Sequence, residues 1–467
     1  MKLYQLTISQ VREGLKKKEF SIKELLSSCL EQIKKLNPKL NAFITICEKE
    51  VLKKAEEADK KIRNSQSVIR NLPLLGIPIA AKDLFCTKGI KTTAGSKVLE
   101  NYIPVYDATV IRKLKEAGAI IIGKTNCDAW AHGSSGENSD FGPTKNPFDE
   151  TRVPGGSSSG SAVAVATGMC LAATGTDTGG SIRQPAAFCG VVGLKPTYGR
   201  VSRFGVVAMA SSLDCMGHFT KDVRDCALIL RVTAGKDEKD ATSSPAPAAD
   251  YLKLLENPAK NFKIGLPRQY FIKGLDKKIE ERVLKIVRLL GKRGLKIKEV
   301  SLPHTKYALA TYYIIQPAEV SSNLARYDGI RYGLSRVKFG AEAKRRMMLG
   351  TYTLSAGYYE AYYLKAMKVR TLIRKDFENV FREVDLLITP VTPTLPFKLG
   401  EKVDNPLQMY LSDILTIPPS LAGIPGLSLP LGKIDNLPVG AQILGPQFSE
   451  EKIFQLARMI EREINEK

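Results

Sequence analysis

The chain has 467 residues, of which 43% are hydrophobic and 25% are charged. These proportions are ordinary for a folded globular protein, and they exclude a chain that is disordered along its length. The net charge of +22 would suit nucleic-acid binding, because lysine and arginine release counterions from phosphate. The lysines are interleaved with acidic residues, however, so the charge fits solvated helix faces better than a dedicated binding stripe.

The cysteines, the histidines and the N-terminus bear on the cell compartment and on metal binding. All eight cysteines lie in the first half of the chain without a CxxC pair, and several fall in apolar runs, as reduced core cysteines do. The N-terminus lacks the features of a signal or transit peptide, and no segment suits a membrane span. The three scattered histidines suggest ordinary polar residues and no metal site. We therefore expect a cytoplasmic protein without a membrane partner.

The predicted elements begin with a helical region over residues 1–70, which contains one short strand over 42–46. Ser21 and Glu24 form a capping box in front of apolar residues with helical spacing. From residue 71 short apolar strands alternate with helices, which is the pattern of an α/β fold. We divide this part into a core lobe over 71–235, a connection over 236–260, a second lobe over about 261–383 and a return to the core sheet over 384–467.

Residues 118–125 match the P-loop pattern GxxxxGK[ST] letter for letter. A P-loop needs a strand before its first glycine and open backbone N–H groups between the glycines. The residues between these glycines are one alanine and three isoleucines, which themselves predict a strand. We therefore expect no nucleotide site at this position.

Two segments rich in glycine and serine, 155–161 and 175–185, stand out from their surroundings. Such runs are usually flexible linkers, but apolar runs that predict a buried helix and a strand lie between these two. No histidine is placed beside a serine as a nucleophile elbow requires, which leaves lysine as the candidate base. Lys82 ends a predicted apolar strand, where burial would lower its pKa. A solvated strand end is the alternative for Lys82.

The double glycine, the serine cluster and the D-x-G-G-S-I-R-x-P run of these segments resemble the signature of the amidase signature family. The resemblance implies a central mixed β-sheet flanked by helices on both faces, in a domain over 71–467. It also implies a Ser-Ser-Lys triad, in which Ser181 is the nucleophile and acyl-ester site, Ser157 is the relay and Lys82 is the base. Ser157 would follow Gly156 in a cis peptide.

Backbone N–H groups around Ser181 are expected to form an oxyanion hole. We predict that Ser181 begins a helix, so that four successive N–H groups point at one oxygen and the helix dipole adds positive potential. These groups belong to Thr178, Gly179, Gly180 and Ser181. Asp177 and Arg183 flank the hole, and we predict that they pair to brace the loop; the alternative is two unrelated surface charges.

Within this family, several runs are similar to the glutaminase subunits of tRNA-dependent amidotransferases. The runs cover residues 106–110, 142–147, 195–203, 311–315, 321–329 and 355–363. That resemblance implies a glutamine site with Arg346 for the α-carboxylate, Asp413 for the α-ammonium, and Tyr312 or Tyr313 along the pocket. A cation and an anion would then recognise the two ends of an amino acid. The alternative for Arg346 is a basic helix face.

The same resemblance implies the reaction and the partners. Ser181 would release ammonia from glutamine through an acyl-enzyme, and the B subunit would use ATP and magnesium to amidate Glu-tRNA(Gln) or Asp-tRNA(Asn). The B and C subunits would be the partners, with the tRNA bound mainly through the B subunit and no cofactor in this chain. A free-standing hydrolase of small amides and a catalytically silent or RNA-associated scaffold are the alternatives. The segment from Tyr332 to Lys344 is shorter than the family pattern by roughly four helical turns.

Overall fold

The computed structural model of the chain describes residues 2–257, 259, 261–330 and 334–465. Eleven strands form one sheet, with parallel and antiparallel pairs, in the order β1-β3-β2-β4-β6-β5-β10-β11-β9-β7-β8. The strands are β1 (Phe43–Ile46), β2 (Pro78–Lys82), β3 (Ile120–Thr125), β4 (Ala172–Asp177), β5 (Val192–Lys195), β6 (Cys215–Thr220), β7 (Lys263–Pro267), β8 (Lys296–Val300), β9 (Leu386–Pro390), β10 (Gly426–Ile434) and β11 (Leu437–Leu444). The predicted α/β class with a central mixed sheet is confirmed.

The described residues also form sixteen α-helices and one short π-helix, Tyr359–Leu364. The α-helices are α1 (Ile8–Lys17), α2 (Ile22–Leu40), α3 (Glu48–Asn64), α4 (Val68–Asn71), α5 (Thr109–Glu116), α6 (Ser159–Ala166), α7 (Arg183–Cys189), α8 (Val223–Thr233), α9 (Tyr251–Leu255), α10 (Lys277–Lys292), α11 (Ala308–Leu324), α12 (Ala341–Leu354), α13 (Lys365–Val380), α14 (Pro406–Leu411), α15 (Ile417–Ala422) and α16 (Glu450–Asn465).

Capping boxes begin the first two helices. The Thr7 hydroxyl accepts the N–H of Gln10 and the Ser21 hydroxyl accepts the N–H of Glu24, and both longer side chains accept the N–H of their cap residue. Each box satisfies two backbone donors that the helix itself leaves without a partner. The capping box predicted at Ser21 is therefore confirmed, and the apolar residues that follow it are buried.

The C-terminal strands connect the core to the strands of the predicted second lobe. β10 pairs with β5, β11 pairs with β10, and β9 pairs with β11. β7 then pairs in parallel with β9 and with β8, the strand at the edge of the sheet. The strands predicted to return to the core sheet do so. The division into lobes remains a prediction, and Pro258 and Lys260 of the predicted connection lie outside the described residues.

Several elements of the structure were not predicted, among them β6, α12 and α16. β6 lies between β4 and β5 and is buried along its length, so its mixed sequence, Cys-Met-Gly-His-Phe-Thr, has no alternation of apolar and polar residues. In α16 the buried residues Ile453, Leu456, Ala457 and Ile460 do have helical spacing, and this signal could have found the helix. The apolar pattern over 355–381 predicts one long helix, which the structure divides between the π-helix and α13.

The eight cysteines all have free thiols. Among the described residues, no helix has both the length and the apolar composition that crossing a membrane requires. The same residues include no group of three or more His, Cys, Asp or Glu side chains that could hold a metal ion. The cytoplasmic location inferred from the sequence remains a prediction.

Lys124, the lysine of the P-loop-like run, lies inside β3 and is fully buried. Its ammonium is 3.1 Å from the carboxylate of Asp83 and donates to the carbonyl of Phe85 at 2.9 Å and to the hydroxyl of Thr92 at 2.7 Å. β3 fills most of the space between the two glycines, where a P-loop would have open backbone N–H groups. Lys124 therefore forms a buried ion pair with Asp83.

We expect Lys124→Met to lower the free energy of unfolding by about 3–5 kcal/mol, because it leaves the carboxylate of Asp83 buried without its partner charge. Lys54→Met is the matched control. Lys54 pairs with Glu50 on the surface of α3, so its loss should cost less than about 0.5 kcal/mol. Denaturant midpoints of the two variants check this, and equal losses would contradict it.

Candidate active site

Lys82 is the last residue of β2 and is fully buried, which excludes the alternative of a solvated strand end. Its Nζ atom is 2.8 Å from the Oγ of Ser157, 2.9 Å from the Oγ of Ser158 and 2.8 Å from the Oγ1 of Thr176. These partners come from two elements, the segment that enters α6 and the end of β4. Lys82 thus connects both glycine- and serine-rich segments.

Burial lowers the pKa of Lys82 to about 8, because removal from water disfavours the ammonium form. The acidic groups of Cys127, Asp128 and Asp177 oppose this shift without cancelling it. A useful fraction of the lysine is therefore the uncharged amine near neutral pH, and such an amine can accept a proton.

Two partners of Lys82, Ser157 and Thr176, have hydroxyl protons that no other acceptor among the described residues engages, and Ser157 is the one that belongs to the serine cluster. The hydroxyl of Ser158 donates to the carbonyl of Thr176 at 3.2 Å, so its proton is engaged away from the lysine. Among the described residues, Lys82 is the one hydrogen-bond partner of the Ser157 hydroxyl. The peptide bond between Gly156 and Ser157 is cis, and a Cβ atom at Gly156 would overlap the carboxylate of Asp128. These contacts require glycine before the predicted relay serine.

Ser181 lies in the turn between β4 and α7 and is 8% exposed. Its carbonyl accepts the N–H of Ser158 at 3.2 Å, which places the predicted nucleophile beside the serine cluster. Its hydroxyl takes part in none of the hydrogen bonds found within the described ranges. The chain thus brings Lys82, Ser157 and Ser181 into one buried region.

The helix after Ser181 begins at Arg183, two residues later than predicted. The carboxylate of Asp177 accepts the N–H groups of Ile182 at 3.1 Å and Arg183 at 3.3 Å, so it satisfies the start of α7. The prediction that Ser181 begins the helix is therefore wrong. The positive end of the short α7 faces a carboxylate of the protein, and the helix dipole does not explain the oxyanion hole.

The turn over residues 178–181 presents four backbone N–H groups for which the described residues supply no hydrogen-bond acceptor. Gly180 has a φ of 153°, and a Cβ atom there would overlap the hydroxyl of Thr416. A Cβ atom on Gly179 would lie 2.8 Å from the Oη of Tyr312. Thr416 also donates to the carbonyl of Gly179 at 2.6 Å, which orients this peptide. Thr416 and Tyr312 therefore pack against the turn, and its backbone N–H groups remain available as donors to an oxyanion.

Asp177 and Arg183 form the ion pair that the sequence predicts, with N–O distances of 2.9 and 3.0 Å. Both side chains are fully buried, which excludes the alternative of two unrelated surface charges. The guanidinium also donates to Gln442 at 3.0 Å, to the hydroxyl of Ser420 at 2.8 Å and to the carbonyl of Thr416 at 2.9 Å. Although burial opposes ionisation, Arg183 holds the pKa of Asp177 below its usual value.

Arg346 lies on α12 and is 3% exposed, so it does not belong to a basic surface of that helix. Its Nε donates to Glu342 at 2.8 Å, and its guanidinium carbon is 5.5 Å from the ring centre of Tyr313 and 5.7 Å from that of Tyr410. Tyr410 also donates to Glu342 at 3.1 Å. Sequence reasoning missed Glu342 and Tyr410. Part of the short segment before α12, residues 331–333, lies outside the described residues.

Asp413 and Tyr312 both lie against the 179–180 turn. A Cβ atom on Gly180 would be 3.4 Å from Asp413, and Tyr312 lies beside Gly179. Burial raises the pKa of Asp413 to about 7. Tyr312 is in edge-to-face contact with Tyr313, which joins this part of the pocket to Arg346.

Two further side chains, which the sequence did not point to, hold Asp413 in place. The hydroxyl of Ser134 donates to its carboxylate, and Gln184 donates to it at 3.3 Å. Gln184 also accepts the N–H of Gly156 at 3.0 Å. Gln184 therefore links Asp413, the predicted ammonium site, to Gly156 at the start of the serine cluster.

The arrangement combines three chemical capabilities in one buried region. A lysine with a lowered pKa contacts Ser157, and the turn that carries Ser181 has backbone N–H groups without an acceptor among the described residues. A cation, Arg346, and an anion, Asp413, belong to the same pocket. Such a site can add a serine to the carbonyl of an amide or ester and can stabilise the resulting oxyanion. It can also select a substrate that carries both charges.

Comparison with known proteins gives consistent results. The chain matches the family described as Amidase over residues 24–454. It is 53% identical to the A subunit of glutamyl-tRNA(Gln) amidotransferase from Carboxydothermus hydrogenoformans, over 99% of this chain and 98% of that protein. It is 52% identical to the corresponding protein of Heliobacterium modesticaldum, over 98% and 96% of the two chains. The crystal structure of the A subunit from Thermotoga maritima superimposes with a TM-score of 0.83 at 44% identity, over 98% and 95% of the chains.

A fluorophosphonate should label Ser181, at a rate that rises with pH through about 8, because the lowered pKa of Lys82 sets the fraction of uncharged base. Lys82→Met should reduce the rate by at least about 100-fold. Lys88→Met, which removes an exposed lysine, is the control and should label normally. Mass spectrometry of the labelled peptide measures the rate. A pH-independent rate, or label on another serine, would contradict the assignment.

Proposed function

Since the chain belongs to the amidase signature family, we propose that it is the glutamine-hydrolysing subunit of a tRNA-dependent amidotransferase. The observation that carries the proposal is the hydrogen bond from buried Lys82 to Ser157, close to the turn that holds Ser181. The chain that makes this hydrogen bond is 53% identical, over 99% of its length, to the A subunit of such an enzyme. The glutamine amide would be the group attacked, and the product passed on would be ammonia.

In the proposed reaction, uncharged Lys82 accepts a proton from Ser157 while Ser157 accepts the proton of Ser181. The oxygen of Ser181 forms a bond to the side-chain amide carbon of glutamine, and the carbonyl oxygen becomes an oxyanion among the N–H groups of residues 178–181. The proton returns through Ser157 to the amide nitrogen as the C–N bond breaks, which releases ammonia. Water, activated by the same route, then adds to the acyl-enzyme and releases glutamate.

The proposed specificity comes from two charges at the far end of the pocket. The Nη groups of Arg346 would bind the α-carboxylate, because its Nε is already used by Glu342. Ionised Asp413 would bind the α-ammonium, and Tyr312 would pack along the substrate. A buried ionic site of this kind favours a zwitterionic amino acid over a simple amide.

We propose that the B and C subunits of the amidotransferase complete the enzyme, and that the B subunit uses ATP and magnesium to activate Glu-tRNA(Gln) or Asp-tRNA(Asn). The relatives of this chain are named as one subunit of an amidotransferase, which supports the presence of partner subunits. The buried ion pair of Lys124 supports the location of the ATP chemistry outside the P-loop-like run of this chain. Most of the binding energy for the tRNA is assigned to the B subunit.

Two alternatives make different predictions. A free-standing hydrolase would cleave small amides rapidly without partners, tRNA or ATP. A silent scaffold would need no buried lysine with a lowered pKa, and the contacts of Lys82 with Ser157 and Ser158 argue against it. Glutaminase assays of the complex, with and without ATP and charged tRNA, separate the three functions.

Ser181→Ala should abolish glutamine-dependent transamidation, because the acyl-enzyme cannot form. The same variant should retain transamidation supplied with ammonium salts, since that reaction bypasses the amidase site. The assay measures amidated tRNA with each nitrogen donor, on the complex purified from its host. Loss of both reactions, in a variant that still assembles, would contradict the proposal that this chain hydrolyses glutamine and the B subunit amidates the tRNA.

The KM for glutamine should fall as the pH rises through about 7. Asp413 binds the α-ammonium in its ionised form, and burial raises its pKa to about that value, so the ionised fraction increases over this range. Asp413→Asn should raise KM at least about tenfold and remove this pH dependence, since one charged hydrogen bond is lost. Steady-state kinetics from about pH 6 to about 8.5 measure this pH dependence. A KM that does not change with pH in the unmodified chain would refute the prediction.

A further inference from the structure

His132 is fully buried, and neither of its ring nitrogens has a hydrogen-bond partner among the described residues. Burying an imidazole in this way is unfavourable, because its polar atoms lose water without a replacement. The other buried histidine, His218, shows the usual solution: its Nε2 is 2.9 Å from the carbonyl of Cys226. His132 therefore offers hydrogen-bonding groups that no residue in the described part of the chain uses.

The turn that carries His132 is attached to two walls of the candidate pocket. On one side, Trp130 stacks on Phe339 with the ring centres 5.0 Å apart, directly before the helix α12 that carries the pocket arginine. On the other side, the hydroxyl of Ser134 donates to the carboxylate of Asp413. His132 lies between these two attachments in the sequence, and it is close enough to Arg346 for the positive charge of that residue to act on its imidazole.

The backbone of this turn is strained immediately before the histidine. Trp130 and Ala131 have φ angles of 58° and 63°, a region that residues with a Cβ atom rarely adopt. Such conformations persist where the surroundings enforce them, and they concentrate at ligand sites. Here the stacking of Trp130 and the fully buried position of the turn supply that enforcement.

The protonation of His132 suits a hydrogen-bond donor to an anion. Burial, with the positive charge of Arg346 added, lowers the pKa of His132 well below its usual value, so the ring is neutral and carries one N–H. The carboxylate of Asp128 lies against Gly133 and already accepts the N–H groups of Gly136 and Asn138. The carboxylates of Glu342 and Asp413 also have partners, namely Arg346 and Tyr410 for the first and Ser134 and Gln184 for the second.

A bound α-carboxylate has two oxygens to satisfy in this buried site. The Nη groups of Arg346, which no hydrogen bond within the described residues uses, can donate one N–H to each oxygen. Each oxygen can accept a further hydrogen bond, and leaving that capacity unsatisfied in the interior is costly. We propose that His132 donates its ring N–H to the α-carboxylate of bound glutamine, beside Arg346. This substrate-binding role rests on the proposed glutaminase function.

The test compares two substitutions on three amides, with the chain purified together with its partner subunits. His132→Leu removes the donor, whereas His132→Gln keeps an N–H group. The substrates are glutamine, 4-aminobutanamide, which lacks the carboxylate, and glutaric acid monoamide, which keeps the carboxylate and lacks the amine. His218→Gln controls for the loss of a buried imidazole elsewhere.

We expect His132→Leu to raise the KM for glutamine and for the monoamide at least about tenfold, with kcat changed less than about threefold, as the loss of a hydrogen bond to a charge predicts. The KM for 4-aminobutanamide should be unchanged, and His132→Gln should recover most of the loss. Equal effects on all three amides would assign His132 a structural role and overturn the proposal, as would an unchanged KM.

The three amides also keep this proposal distinct from the proposed function. If the unmodified protein cleaved 4-aminobutanamide as well as glutamine, the glutaminase function would fail. The monoamide would still report whether His132 recognises a carboxylate, since that comparison does not depend on glutamine being the natural substrate.

Discussion

An amine can act as a base at neutral pH where water cannot stabilise its ammonium form, and this requirement governs the surroundings of Lys82. β2 lies inside the sheet between β3 and β4, so the end of this strand is shielded on both sides. The partners of the amine are three hydroxyl groups. A carboxylate in their place would stabilise the ammonium and raise the pKa, whereas hydroxyls satisfy the hydrogen bonds without adding charge. Burial and neutral partners thus act in the same direction.

The candidate binding residues and the candidate oxyanion turn share contacts. Thr416 orients the carbonyl of Gly179 and packs against Gly180, and it follows Asp413 by one turn of chain. Arg183 pairs with Asp177 and donates to the carbonyl of Thr416. A shift of the segment that carries Asp413 would therefore displace the turn over 178–181, and the reverse also holds.

The local sequence predicts many of the elements, because these depend on short patterns, whereas the triad assignment comes from the family resemblance and remains a prediction. Periodic apolar residues predict most helices and strands, and the D-x-G-G-S-I-R-x-P run predicts where serine, aspartate and arginine meet. β6 was not predicted because a strand buried on both faces loses its alternation. The start of α7 was misplaced because its cap, Asp177, precedes the helix by several residues.

The lining of the pocket shows where local patterns stop being informative. Tyr410 contacts Arg346 from a distant part of the chain, and Ser134 reaches Asp413 in the same way. Nothing in the residues around Tyr410 or Ser134 indicates these contacts, since they depend on how α12, α14 and the turn that carries Ser134 pack together. The same holds for His132, whose burial and lack of a partner among the described residues are visible in the folded chain alone. Glu342 differs, because it precedes Arg346 by four residues on α12, and this helical spacing could have indicated the pair.

The position of β10 and β11 has a consequence for biosynthesis. These two strands lie beside β5 in the sheet although they come last in the chain, and Gln442 on β11 binds the guanidinium that holds Asp177. A ribosome makes Ser181 long before it makes that brace, since domains are synthesised from the N-terminus at about 5–20 residues per second. A nascent chain that has not yet reached β11 therefore lacks a brace of the candidate site.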